Sequence, residues 1–484
     1  MKPLSIAATA VLAAALAVCP DARAESAAAR SLPARPADAW APPPEALSPP
    51  APSAALPDVP RELLNGARTI SLAEAVDVAL STSPVTRRSW AQARSAAAEV
   101  GSRQAAFWPQ VDLYASAQRQ KQVSLGGSVE SLMTTWGPAA TLTWTLLDFG
   151  GRGADVEEKR QALFSAGFLH NAAVTDVVLA VQTSYYQYQG AKALLAATES
   201  SLKQAEENLT AAEERRRAGV ATVADVLQAK TSLSQRRLEV ETARGLIDVT
   251  RGALATALGV PASLPVDVTD LPDGLRLEGA TPTVEELIAE AERRRPDLAA
   301  ARARAAAARS KVNSVRSSAL PTLVGAGGLS RTFFEGDAAA PFGDNWSAGL
   351  AVRWPVFNGF QKAYDRKKAE EDAAVASAST DLLTQQAIYQ VWSGYSAVKT
   401  AAERIRASKD LLASASESEQ VTLGRYKAGV GGILDLLAAE SSLASARATD
   451  VQARASFLVA LAQLAHDTGA LGLAPIPQLK KDTP

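Results

Sequence analysis

Residues 215–227 read RRRAGVATVADVL and residues 425–437 read RYKAGVGGILDLL. Laid over one another, Gly219 meets Gly429 and Asp225 meets Asp435. The same shift of 210 brings Trp144, Asp148, Leu233 and Gly259 onto Trp354, Asn358, Leu443 and Gly469. Upstream, Pro84 and Pro109 meet Pro296 and Pro321 at a shift of 212, so two residues are lost within Gln118 to Gly137, which is expected to be a loop. A register held this constant marks an internal duplication: the chain is two copies of one unit.

Working outward from the two glycines, each copy has the same order: a helix of about three dozen residues, a strand, a loop, a second strand, and two very long helices. No proline interrupts the chain between Pro138 and Pro261 or between Pro355 and Pro475. A helix from Gly153 to Ala218 is about 100 Å long at the helical rise of ~1.5 Å per residue, too long for the inside of a globule. Val226, Leu233, Val240, Ile247 and Leu254 recur every seven residues after Gly219. Leu195, Leu202 and Leu209 do so before it, with Thr198, Ala205 and Ala212 as small partners. This is an antiparallel coiled-coil seam, and on helix pattern alone a soluble four-helix bundle fits as well.

Strands decide between the two. Val111, Leu113 and Ala115 alternate with polar neighbours, as do Ala140, Leu142, Trp144 and Leu146, and Trp346, Ala348, Leu350, Val352 and Trp354. Period two with one apolar face is a half-buried strand. The stretch Leu323 to Leu329 is too glycine-rich to assign from pattern. Strands of about ten residues with apolar faces outward match a lipid-facing barrel wall. Open sheet edges are not tolerated in hydrocarbon, and four strands cannot enclose a bore, so the pattern asks for a homotrimer with twelve strands. Gln122 to Thr134 and Phe334 to Phe342 are expected as exterior loops.

The chain has 484 residues and a formal net charge of -1, without the basic excess that nucleic acid binding requires. Lys2, the apolar run Ile6 to Val18 and Ala22-Arg23-Ala24 read as a secretory signal with maturation before Glu25. Cys19, the only cysteine, follows Leu16 and Ala17 in a lipoprotein-like spacing, although Val18 stands where a small residue is wanted. Ten of the thirty residues from Ser31 to Pro60 are proline, which makes an extended arm. The expected organisation is a signal peptide at 1–24, a proline-rich extension at 25–66, and a first repeat at 67–260. A linker at 261–282, a second repeat at 283–470 and a tail at 471–484 complete it.

The duplicated unit resembles the TolC family of outer-membrane efflux and secretion channels, over roughly residues 70 to 475. The strand-to-helix junction carries the marks Trp144, Asp148 and Gly150, echoed by Trp354, Asn358 and Gly359, and the paired tips quoted above carry the rest. The resemblance implies a mainly α protein: a long antiparallel coiled-coil barrel in the periplasm of a Gram-negative bacterium, with four strands per protomer in a trimeric membrane barrel. It implies an exit channel for a tripartite pump or a type I secretion system, with outer-membrane lipid around the barrel. Its partners would be a periplasmic adaptor and an inner-membrane RND or ABC transporter.

On that resemblance Asp435 is an inward carboxylate of the pore constriction, and Tyr426 and Asp225 belong to the network joining the hairpins. The tips, with Gly219, Val220, Gly429, Val430, Arg215 and Arg425, dock the adaptor. Ala438 and Gly431 depart from the family pattern, where a second acid and a gate-locking arginine are expected, so one carboxylate ring is left. Read without the resemblance, Asp225 and Asp435 are solvated acids near a helix start. The arginines are then solvated charges.

No catalysis is expected. His170 and His466 lie in helical patterns without metal-ligand spacing, there is no phosphate-binding loop, and Gly325, Gly327 and Gly328 lack a βαβ setting. No cofactor or metal is implied. The alternative from another class is a periplasmic coiled-coil adaptor or scaffold without a pore.

Overall fold

The computed structural model describes residues 69–123, 130–272, 283–336 and 341–471. The segments expected as a signal peptide and a proline-rich extension, with Cys19, lie outside them, as do part of the expected linker and most of the expected tail. The chain divides into a helical unit and a sheet unit; the sheet unit draws on residues 105–149 and 319–356.

In the helical unit, β1 (Thr69–Ile70) leads into α1 (Leu72–Thr82) and α2 (Pro84–Gln104). Two long helices follow, α3 (Gly151–Arg217) and α4 (Val223–Ala257), and then β4 (Asp267–Val268). The second copy supplies α5 (Val284–Arg294), α6 (Pro296–Ser317), α7 (Gln361–Lys427) and α8 (Ile433–Asp467). The duplication is reproduced in length: α3 and α7 each have 67 residues, α4 and α8 each have 35, and α1 and α5 each have 11.

The expected single helix of three dozen residues is instead two in each copy. Pro84 and Pro296 have no N–H to donate and push the residue before them out of the helical region. Ser83 and Arg295 accordingly sit at ψ 129° and 120°. Side-chain caps start the first helix of each pair, with Ser71 and Glu74, and Thr283 and Glu286, bonding each other's backbone N–H groups.

Of the heptad seam, Val226, Leu233, Val240 and Leu254 are buried. On α3 the small partners Ala205 and Ala212 enter the core, while Leu195, Leu202 and Leu209 stay half-buried. A seam of alanines lets two backbones approach closely, which leaves the larger side chains at its rim.

The largest core surrounds the short parallel ribbon of β1 and β4. Tyr185 of α3 donates to the Ile70 carbonyl at 2.9 Å, and Lys192 pairs with Asp267 at 2.9 Å while donating to the Val268 carbonyl. This ribbon ties the start of one copy to the linker after it, and nothing in the hydropathy pattern announced two-residue strands. One window of α3 has the composition of a membrane span. The helix containing it packs against α2, α4, α6 and α8, which makes it the central helix of this unit.

The sheet unit holds four antiparallel strands in the order β2 (Gln110–Val123), β3 (Glu130–Leu147), β5 (Thr322–Gly336) and β6 (Phe342–Arg353). They are longer than the expected ten residues. Gln118 to Val123 and Glu130 to Gly137 lie in strands, as do Phe334 to Gly336, so the expected loops shrink. Pro138, although it lies in a central strand, pairs with Ala115 on one side and leaves a gap in the ladder toward β5 on the other. The β5 backbone presses in beside that gap: a Cβ at Gly137 would stand 1.9 Å from the Arg331 carbonyl oxygen.

Leu323 to Leu329 is strand after all. Gly325 and Gly327 lie opposite Trp144 and Leu142 on one side and Leu350 and Ala348 on the other, so the glycines make room for larger cross-strand neighbours. Leu113, Trp346, Leu350 and Val352 share one face of the sheet and are each more than two-thirds exposed, and the same face carries the Arg331–Asp344 ion pair nearer the far ends of β5 and β6.

Candidate functional site

The two hairpin tips are built alike. At the end of α3, Gly219 takes φ 76°, its N–H reaches the Arg216 carbonyl at 3.0 Å, and Val220 N–H reaches the Arg215 carbonyl at 2.9 Å. At the end of α7, Gly429 takes φ 77°, with Gly429 to Tyr426 at 3.1 Å and Val430 to Arg425 at 3.0 Å. Both are the left-handed glycine cap that satisfies the last carbonyls of a helix and turns the chain back. Val220 and Val430 project into solvent at the apex, 64% and 69% exposed, and Arg425 is exposed beside them.

The restarts differ. Thr222 caps α4, receiving the Asp225 N–H at 3.3 Å, while the Asp225 carboxylate accepts from Thr222 N at 2.7 Å. The corresponding residue before α8 is Gly432, which has no side chain to offer. Asp435 is therefore exposed in the first turn of α8, without the reciprocal bond that occupies Asp225. Gly431 leaves little space: a Cβ there would lie 3.1 Å from that of Arg425.

Between the hairpins, Tyr426 is buried with Ala212, Val226, Ala229, Ile433 and Leu436. Arg215 reaches across from α3, donating to the Tyr426 carbonyl at 2.9 Å with its guanidinium 4.6 Å from the ring centroid. The Tyr426 hydroxyl and Arg215 Nε are buried without hydrogen-bond partners. Burial raises the Tyr426 phenol above its ordinary pKa, Arg215 opposes that rise, and Asp225 adds to it. Arg215 and Tyr426 thus meet across the hairpins, whereas the hydrogen bonds of Asp225 go to Thr222 at the start of its own helix.

Two polar groupings escaped the sequence reading. Asn208 of α3 bonds Glu440 of α8, and burial raises the Glu440 carboxyl, with Glu419 of α7 adding to the rise. His466 bridges Asp467 through Nδ1 at 3.1 Å and Asp176 of α3 through Nε2 at 2.9 Å. Those hydrogen bonds raise its pKa, with burial opposing. Each residue looked like an ordinary helix polar group; only the packing of one copy on the other brings them together. Among the described residues no three His, Cys, Asp or Glu side chains converge as metal ligands.

At the junctions, Trp144 Nε1 donates to the Phe107 carbonyl at 2.9 Å. Phe149 and Gly150 take φ 51° and 90°, and their counterparts Gly359 and Phe360 both take φ 65°. Each copy thus carries one phenylalanine in the left-handed region, at a cost of about 1–2 kcal/mol. Asp148 and Asn358 directly precede these turns and are half-buried.

The family described as Outer membrane efflux protein matches residues 75–260 and 287–470, one stretch for each copy. This chain belongs to that family. Among its relatives is Protein CyaE of Bordetella pertussis, 30% identical over 412 residues, covering 84% of this chain and 85% of that one. The toluene efflux pump outer membrane protein TtgC of Pseudomonas putida is 26% identical, covering 70% of this chain and 71% of its own length. The fold matches the outer membrane protein VceC of Vibrio cholerae with a TM-score of 0.72 at 20% identity, covering 82% of this chain and 96% of that one. The chain is accordingly a non-catalytic outer-membrane channel of the TolC type, serving efflux or secretion, with a long periplasmic helical region. Family membership sets aside the adaptor reading.

Proposed function

We propose that three copies close one duct, each giving four strands to a twelve-stranded barrel and two hairpins to a periplasmic tunnel constricted at the tips. The observation that carries this is the open sheet: β2 and β6 lie at its two edges, no further strand pairs with either among the described residues, and hydrocarbon tolerates no such edge.

A second observation favours the ring. On α7, Tyr364, Val375, Leu382, Tyr389 and Trp392 are 55–72% exposed. Their counterparts on α3 are Ala154, Ser165, Ala172, Leu179 and Gln182, which are buried or half-buried, and α3 packs against α6 and α8 of the other copy. A neighbouring chain's first copy would cover α7 as the second copy covers α3. Such a head-to-tail contact closes into a ring when the rotation between neighbours divides a full turn, as three copies would.

In this reading Asp435 lines the constriction as a ring of carboxylates, and Arg215, Tyr426 and Asp225 hold the tips together. Val220, Val430 and Arg425, raised by the glycine turns, meet a periplasmic adaptor, and an RND or ABC transporter in the inner membrane supplies the energy. The naming of TtgC as a pump's outer membrane protein supports such an assembly. Trp144, Asp148, Gly150, Trp354, Asn358 and Gly359 set the strand-to-helix junctions. Extraction of outer membranes in mild detergent and native mass measurement test the ring: a mass of three mature chains is expected, and a monomer would end the proposal.

A further inference from the structure

The pairing register of the two hairpins survives the duplication residue for residue. Gln110 pairs with Thr143 as Thr322 pairs with Arg353, and Arg119 with Thr134 as Arg331 with Asp344. The first strand of each copy therefore keeps the shift of 212 and the second the shift of 210 through the sheet. Within the chain, β3 of the first copy also pairs with β5 of the second, placing Ala140 opposite Leu329 and Thr141 opposite Gly328.

From this equivalence we infer that β6 pairs antiparallel with β2 of a neighbouring copy in one register, Leu350 opposite the neighbour's Ala117 and Ala351 opposite its Ser116. Moving Ala140 and Leu329 by their respective shifts gives the first pair, and moving Thr141 and Gly328 gives the second. The inference rests on the ring proposed above and adds to it the alignment of its seam.

The chemistry of the two faces agrees. In this register Val352 faces Ala115 and Leu350 faces Ala117 on the apolar side, while Ser347 and Gly349 face Gln120 and Gln118 on the other. A slip of one residue would turn Leu350 toward the polar face of its neighbour, which a strand in hydrocarbon does not tolerate. A slip of two preserves the faces, so it is the alternative an experiment must exclude.

Cysteine pairs read the register directly. Residues directly opposite have Cα atoms about 4.5–5.5 Å apart, within the reach of a disulfide. A slip of two moves them to about 8 Å, beyond the ~7 Å limit. Chains carrying Leu350→Cys with Ala117→Cys, and separately Ala351→Cys with Ser116→Cys, are expressed in outer membranes, oxidised with diamide and run on denaturing gels without reductant. Both are expected to yield a covalent trimer that thiol reductant returns to monomer, while Leu350→Cys with Ala115→Cys, and the unmodified chain, do not. The second pair lies on the opposite face, so misfolding of one variant leaves the other as a test.

Cross-linking confined to the Ala115 pair would overturn the register. So would native trimers in which neither expected pair links. A native mass of one chain would instead remove the ring itself.

Discussion

Removing the Arg215 side chain should loosen the two hairpin tips from one another by a calculable amount. Arg215→Met keeps most of the aliphatic stem but deletes the guanidinium that donates to the Tyr426 carbonyl at 2.9 Å and lies 4.6 Å from its ring. A charged hydrogen bond contributes about 1.5–3 kcal/mol, and a cation over a partly exposed ring about 0.5–1 kcal/mol. Because Arg215 is only half-buried, the lower end applies, giving about 2 kcal/mol per protomer. That corresponds to a ratio of separated to joined tips raised roughly 30-fold, at 1.4 kcal/mol per factor of ten. Planar-bilayer recording of the purified channel should show longer or larger openings for Arg215→Met than for the parent. The exposed neighbour Arg216, changed to Met, serves as control. Tyr426→Leu should open the channel too, and the double variant should add little to either, since both act on one contact. Conductance and open time unchanged in Arg215→Met, or full additivity in the double variant, would refute the clasp.

Three further outcomes test other parts of the reading. Asp435→Ala should lower cation selectivity and divalent-cation block in the same recordings, and unaltered values would take Asp435 out of the constriction. Gly429→Ala should cost about 1–2 kcal/mol, the penalty of its left-handed backbone alone, since nothing stands within 4 Å of the added Cβ. Gly469→Ala should cost more, because its Cβ would stand 3.0 Å from the Arg294 carbonyl carbon, and equal melting temperatures for the two would count against that packing. His466→Thr, which installs the residue found at the equivalent position 256, tests the bridge to Asp176 and Asp467. The folded-state pKa of His466 is raised, so its stabilisation is full below the unfolded value and fades as pH rises through the folded one. The parent's advantage in thermal stability should therefore shrink from acid to alkaline pH, and a constant difference would refute the ion pairs.

The long helices and their glycine turns were legible because both signals are local: a proline-free run with a heptad, and a residue able to take φ near 76° at the apex. Pro84 and Pro296 gave the duplication but were read as lying within one helix; the extended residue each imposes before itself ends one helix and begins another. Strand ends were misplaced because the hairpins continue through polar residues such as Gln118, Arg119 and Gln120, which alternate without an apolar partner to reveal them. Gly325 and Gly327 hid a strand, since their function there is to be small beside Trp144 and Leu350. At the tips the residue types were readable. The reach of Arg215 onto Tyr426, 211 positions away, depends on how two helices meet and has no sequence signature.

The matched lengths of the helices restrict how such a chain can change in evolution. An extra heptad in α3 alone, between Tyr185 and Arg215, would draw the last turns of α4 out of the core around β1 and β4 and carry Arg215 past Tyr426. The same heptad would have to enter α3, α4, α7 and α8 together to keep the tips level. Insertions confined to the hairpin loops of the sheet meet no such demand, and the two copies already differ by two residues there. The reach of the periplasmic helices is therefore inherited nearly unchanged, while the stretches joining the paired strands are free to change length.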